Sequence, residues 1–243
     1  MMRILITNDD GIGASQLPNL IRWCEKLGEV TVVVPKQEQS GKSHSIELHK
    51  PYECRQTELE GFKVWTVDST PADCIRFAVI GLKKEFDLCI SGINRGFNLG
   101  TDMVYSGTVG AASEAVALGL PAVALSTNPE NYEQAYTQLD RIFDFIFENR
   151  LLDLCTLYNV NIPENPLGIR ITRQGSAYYS DDYLCVGDGL YTACGKCVHS
   201  DNGDTTLDTN TTLNRYISIS PLTIDKTNHT VFKTLFENKP NEV

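Results

Sequence analysis

The stretch Arg3-Ile4-Leu5-Ile6-Thr7-Asn8-Asp9-Asp10-Gly11-Ile12-Gly13-Ala14 opens with a short apolar run, Ile4 to Ile6, and ends in turn residues. The run reads as a buried strand. At its end two carboxylates, Asp9 and Asp10, stand side by side. Adjacent acids at the end of a buried strand repel each other and lose hydration, and a bound cation relieves both. Taken alone, Asn8-Asp9-Asp10-Gly11 also reads as a solvated turn. The glycine- and asparagine-rich loops further along favour the cation.

Leu17, Leu20, Ile21, Cys24 and Leu27 fall at helical spacing, with Ser15 as the expected N-cap, Pro18 in the first turn and Gly28 at the close. Val30 to Val34 is a second β-branched run, ended by Pro35. Strand, helix and strand in this order make a βαβ unit, which implies a parallel sheet with a right-handed crossover. Ile46 to Val67 predicts one or two hairpin strands. Thr70-Pro71-Ala72-Asp73 has the cap, proline and acid of a helix start, and this helix is expected to run through Ile75, Val79 and Leu82. Leu88 to Ile90 and Pro121 to Leu125 read as further buried strands, with a small-residue helix ending at Leu118 between them. Tyr132, Ala135, Leu139, Ile142, Phe143 and Ile146 mark the apolar face of one long helix. Thr156 to Ile162 predicts another strand. From Gly168 the texture changes to short β-like pieces, Ile169 to Arg173, Tyr183 to Val186 and Arg215 to Ser220, separated by polar turns that include Ser200 to Asn214.

The fold class expected is therefore α/β: a Rossmann-like three-layer core with a mainly parallel sheet over 1–167. A β-rich C-terminal arm or hairpin region over 168–243 forms one structural unit with it. The 243 residues suffice for a substantial core, and 42% hydrophobic with 21% charged residues is an ordinary globular composition. A net charge of −10 argues against duplex nucleic acid and against an anionic membrane surface as partners. There is no secretory signal pattern and no apolar run long enough to span a membrane. The eight cysteines are accordingly expected to remain thiols in the cytoplasm. Cys194-Gly195-Lys196-Cys197 has ligand-like spacing, but only His199 is close by and a structural zinc needs more.

Three phosphate-handling motifs fail on inspection. A dinucleotide fingerprint beginning at Gly11 would need glycine at 16, which is Gln16. A P-loop ending in Gly41-Lys42-Ser43 would need glycine at 36, which is Lys36. An aspartyl-phosphate enzyme would need Asp-x-Asp, but Asp9 is followed two positions on by Gly11.

What remains is a set of residues at several strand ends, which in a doubly wound sheet share one edge. Asp9 and Asp10 end the first strand, Ser40 and Gly41 follow the second, and Asn94 follows the strand at Leu88 to Ile90. Two carboxylates, a hydroxyl and an amide oxygen form a hard oxygen set suited to Mg²⁺ or Mn²⁺. Ser106-Gly107-Thr108 opens a helix whose free N–H groups and dipole make an anion site. A cation beside a phosphate-sized anion site points to metal-assisted phosphoester hydrolysis. A non-catalytic protein that senses a nucleotide or phosphate through the same loops is the alternative, and the paired acids disfavour it.

Asn8-Asp9-Asp10-Gly11, Ser40-Gly41-Lys42-Ser43-His44-Ser45, Ser91-Gly92-Ile93-Asn94-Arg95-Gly96-Phe97-Asn98-Leu99-Gly100 and Tyr105-Ser106-Gly107-Thr108-Val109-Gly110-Ala111-Ala112 together resemble the SurE survival-protein family. The likeness extends to Thr70-Pro71-Ala72-Asp73-Cys74, Asn159 to Pro163, Ile171 to Arg173 and Ser218 to Leu222. It is weakest between Ser176 and Asn214. The resemblance implies a metal-dependent 5′-nucleotidase that acts on nucleoside 5′-monophosphates and often also on 3′-monophosphates and polyphosphate. It implies one divalent cation per subunit, Mg²⁺ or Mn²⁺, on Asp9, Asp10, Ser40 and Asn94, and phosphate contacts from Ser106, Gly107 and Thr108. Asn98 and His44 lie in the same blocks and are expected to touch substrate. One of Asp9 and Asp10 is expected to orient or deprotonate the attacking water. The resemblance also implies a homodimer or homotetramer that exchanges the C-terminal arm.

Overall fold

A computed structural model describes residues 1–238, so 239–243 of the expected C-terminal region lie outside the described residues. β1 (Met2–Thr7), α1 (Leu17–Cys24) and β2 (Gly28–Pro35) form the expected parallel βαβ unit, with Ile4 opposite Val30. Two local expectations change. The N-cap of α1 is Gln16 rather than Ser15, whose hydroxyl donates to Glu133 at 2.7 Å. Gly28 opens β2 instead of closing α1. A Cβ there would lie 1.8 Å from the Met2 carbonyl oxygen, so only glycine lets the two strands start this close.

β3 (Cys54–Leu59) and β4 (Phe62–Val67) make the hairpin. α2 (Pro71–Arg76) is capped by Thr70, whose hydroxyl accepts from the Asp73 N–H, and it runs on into a π-helical turn, Phe77–Gly81. Then come β5 (Leu88–Arg95), a 3-10 segment (Gly100–Tyr105), α3 (Gly107–Ala117) and β6 (Ala122–Thr127). The expected long helix divides. Pro129–Gln138 winds as 3-10 and only Leu139–Glu148 is α4. Residues three apart eclipse in a 3-10 helix, which turns both Tyr132 and Ala135 inward. The Asn131 amide fixes this segment to the sheet end through Thr127 Oγ1 and the Pro163 carbonyl.

The chain continues through α5 (Leu151–Leu154), β7 (Leu157–Ile162), β8 (Gly168–Ile171), β9 (Tyr179–Gly187), β10 (Leu190–Cys197), α6 (Asp208–Leu213), β11 (Tyr216–Pro221) and α7 (His229–Asn238). The main sheet runs β3-β4-β2-β1-β5-β6-β7-β11-β8, parallel from β4 through β7. Alternation sorts its side chains. Ile4, Ile6, Val32 and Ile90 pack under α1 and α4 on one face. Leu5, Val33, Cys89 and Ala124 pack under α2 and α3 on the other. The result is the three-layer α/β core.

β8 and β11 rejoin this sheet, whereas β9 and β10 form a separate antiparallel hairpin whose residues are all exposed. Cys194 and Cys197 on β10 are three apart in an extended strand, so they face opposite sides. All eight cysteines are free. The polar run Ser200 to Asn214 is more than turns. It holds α6, with Asp208 through Thr212 buried. No helix among the described residues is long and apolar enough to cross a membrane.

Candidate active site

From β1 the chain moves outward to β2 on one side and later resumes at β5 on the other. This reversal opens a crevice at the carboxyl ends of β1 and β5, where ligands bind in doubly wound sheets. Asp9 and Asp10 follow β1 directly. The Asn8 side chain shapes their turn by accepting from the Gly11 N–H and donating to the Gly11 carbonyl, both at 3.0 Å. Gly11 has φ +78°, and a Cβ there would meet Gln37 backbone at 2.9 Å. The turn therefore sits hard against the loop after β2.

Asp9 is only 3% exposed. Its Oδ1 accepts from the Thr108 hydroxyl at 2.5 Å. Burial pushes its carboxyl up to about 6, the Thr108 hydrogen bond pulls it down in part, and the neighbouring Asp10 charge pushes it up further. Asp10 is half-buried, and its Oδ2 accepts from the Arg95 N–H at 3.2 Å and the Tyr132 hydroxyl at 3.3 Å. Burial raises its carboxyl too, against those two hydrogen bonds. A desolvated carboxylate whose neighbour is a second carboxylate is the setting a hard cation stabilises. Among the described residues no cluster of three or more His, Cys, Asp or Glu side chains is assembled to hold a metal. A cation here would rest on two carboxylates, with neutral oxygens and water filling its shell.

α3 brings its first turn onto Asp9. A Cβ on Gly107 would lie 2.9 Å from Asp9 Cβ and 3.0 Å from its Oδ2, so glycine is what permits the contact. Ser106 is the N-cap, and its hydroxyl accepts from the Val109 N–H at 3.1 Å. The remaining N–H groups of that turn are available to an anion. Acid pair and anion site thus share a wall.

Ser40 reaches the site through its loop, because the Gln39 N–H donates to the Asp9 carbonyl at 2.7 Å. Its hydroxyl here donates to Glu38. Asn94 stands just past a bulge in β5, and its amide nitrogen donates to the Gly96 carbonyl, which leaves the oxygen for a cation. His44 and Asn98 turn to other neighbours. His44 pairs with Glu114 on α3 at 2.7 Å, and Arg76 takes the other Glu114 oxygen at 2.8 Å. Asn98 is buried, with its amide on Ser126 Oγ and its backbone held by Asn159 and Asn161.

Sequence reasoning passed over Asn8, Tyr132, Arg95 and Glu38. Asn8 carried a usable signal, an asparagine three residues before a turn glycine. Tyr132 did not, since helical periodicity reads it as core and nothing local shows its hydroxyl reaching Asp10.

Fold and site together define a doubly wound α/β protein with an acid pair set against an anion-binding helix start at the switch point. A family model described as Survival protein SurE matches residues 4–181, and the chain belongs to that family. It is 42% identical to the 5′-nucleotidase SurE of Carboxydothermus hydrogenoformans, covering 94% of this chain and 92% of that one. It is 37% identical to the 5′-nucleotidase SurE of Thermosipho melanesiensis over 97% of each. The crystal structure of the SurE protein from Aquifex aeolicus superposes with a TM-score of 0.80 at 34% identity, over 98% of this chain and 99% of that one.

Proposed function

We propose that the chain is a 5′-nucleotidase, a divalent-cation-dependent phosphomonoesterase that splits nucleoside 5′-monophosphates into nucleoside and phosphate. The observation that carries this reading is the contact of Asp9 with Gly107 and Thr108, which puts a buried carboxylate against the anion site. Asp9 and Asp10 would hold the cation, with Ser40 and Asn94 as neutral oxygen ligands, and the all-oxygen set suits Mg²⁺ or Mn²⁺. Such a cation, when bound, supplies positive charge that polarises a phosphoryl oxygen and acidifies water.

The chain's own groups do the rest. The backbone N–H groups at the start of α3, those of Gly107 and Thr108 among them, with the Ser106 hydroxyl, hold the phosphate oxygens and stabilise the charge that builds on them. Thr108 also fixes the rotamer of Asp9. One carboxylate of the pair orients the attacking water and takes its proton. The family resemblance extends the substrates to 3′-monophosphates and short polyphosphate. Free thiols throughout fit a reducing, cytoplasmic setting. A lone two-stranded hairpin is marginal in water, and β9–β10 exposes Tyr183, Leu184, Val186, Leu190 and Tyr191. Packing of this arm on another copy, in a homodimer or homotetramer, would cover it.

The test is phosphate release from a panel of nucleoside monophosphates with Mg²⁺, Mn²⁺ or EDTA. Turnover with metal and none with EDTA is expected. Folded protein that binds nucleotides but releases no phosphate with any metal would point instead to a sensor.

A further inference from the structure

The carboxyl ends of β5, β6 and β7 border a second feature, a cavity of about 400 Å³ whose lining includes Phe97, Asn128, Pro163, Glu164, Leu213 and Arg215. It adjoins Asn94, one of the proposed cation ligands, along the chain and across the sheet. Asn94 and Phe97 are three residues apart, so they are separated by no more than about 11 Å even if fully extended. Asn94 pairs with Ser126 and Arg95 with Thr127, and Asn128 is the next residue on that strand. Between the two places stands Arg95, whose N–H holds Asp10 and whose guanidinium lies 6.0 Å from the Tyr132 ring centroid.

We infer that this cavity is the nucleoside subsite, with Phe97 as the stacking face for the base and Asn128 as the partner of its hydrogen-bonding edge. The inference rests on the nucleotidase reading and adds where the uncharged half of the substrate goes. The volume falls in the range of small-ligand sites, and the lining mixes an aromatic ring, Phe97, and two further apolar residues, Pro163 and Leu213, with polar side chains, as a ligand with an apolar face and a polar edge requires. Phe97 is half-buried, so one part of the ring is fixed while another faces the cavity. Every base has a π-face, so an aromatic ring here binds without demanding one base. Asn128 has a buried Oδ1 with no hydrogen-bond partner, while its amide nitrogen is held by Glu130 at 3.1 Å. A turn of that amide offers the unmet acceptor to an N–H donor on a base edge. The charge of the lining does not select a second phosphate as the occupant. One cation, Arg215, which also donates to the Asn165 carbonyl at 2.8 Å, is offset by one anion, Glu164, so the side chains of the lining carry no net positive charge.

The experiment compares AMP with ribose 5-phosphate, which has the same phosphate and sugar but no base. Wild type is expected to favour AMP in kcat/KM. Phe97→Ala is expected to shrink that preference about tenfold, chiefly through KM for AMP, and Phe97→Trp to keep it. A wild type without preference, or a preference that Phe97→Ala leaves unchanged, would overturn the inference. If wild type releases phosphate from neither compound, the nucleotidase reading fails separately. Calorimetric titration with adenosine alone then decides the subsite: binding weakened by Phe97→Ala supports it, and no binding to wild type overturns it.

Discussion

A carboxylate that is 3% exposed beside another carboxylate destabilises the metal-free chain at neutral pH. The Asp9 carboxyl sits at about 6 against an ordinary 3.8, a gap on the order of 3 kcal/mol. Between those two values the folded chain binds a proton that the unfolded chain has released. Through this group, stability therefore increases as pH falls from 7 toward 4 and decreases as it rises through 6. Asp9→Asn removes that charge. In EDTA at pH 7.5 the variant should melt several degrees above wild type, and with Mg²⁺ or Mn²⁺ present its phosphate release should be lower by orders of magnitude. Equal or lower melting would contradict the burial cost assigned to Asp9. Protons and cation also compete for this oxygen. Below about pH 6 the apparent metal affinity should fall roughly tenfold per pH unit, which calorimetric Mn²⁺ titrations at several pH values will show. Gly107→Ala tests the wall itself. Its methyl would press on Asp9 and Pro71, so activity should fall at least tenfold, with a stability loss of about 1–3 kcal/mol read by thermal melts.

At the scale of elements, α3 is the hub. Its small residues admit the 40–45 loop, which carries Ser40. A Cβ on Gly110 would lie 2.2 Å from the Ser43 carbonyl oxygen, while the Ser43 N–H and hydroxyl hold the carbonyls of Tyr105 and Val104. Gly110→Ala should push this loop away, costing about 1–3 kcal/mol of stability and weakening metal binding, read by thermal melts and Mn²⁺ titration. A second clamp comes from the C-terminal region. Asp208 accepts from the N–H groups of Gly100, Gly175 and Thr209, and Asp102 accepts from those of Tyr178 and Tyr179. These bonds fix the segment that leads into Ser106. None of this was legible in Asp208 or its neighbours, because Asp208-Thr209-Asn210-Thr211-Thr212 has the composition of a solvated turn. Its burial depends on partners distant in sequence, Gly175 and Gly100, the latter more than a hundred residues away. The βαβ unit, α2 with its cap and the strand ends at Asp9 and Asn94 were legible, because their signals are local: apolar runs, a Thr-Pro start and turn glycines. His44 and Asn98 lie in the motif blocks, but motif membership does not show that their side chains reach Glu114 and Ser126.

For the whole molecule, the sheet order sets what meets what. Placing β1 between β2 and β5 gathers loops separated by tens of residues at one edge, and the same order leaves β9–β10 outside the sheet. The exposed apolar residues of that hairpin predict assembly. Leu184→Asp should shift sedimentation toward smaller species without unfolding the core, and an unchanged sedimentation profile would remove the arm from the interface. The measurement that tests the account most directly is a Mn²⁺ titration followed by electron paramagnetic resonance on wild type and Asp9→Asn at pH 7.5. One ion bound per wild-type chain, and none at the same concentration in a folded Asp9→Asn, is the result expected. Equal binding by the two would contradict the placement of the cation on the acid pair.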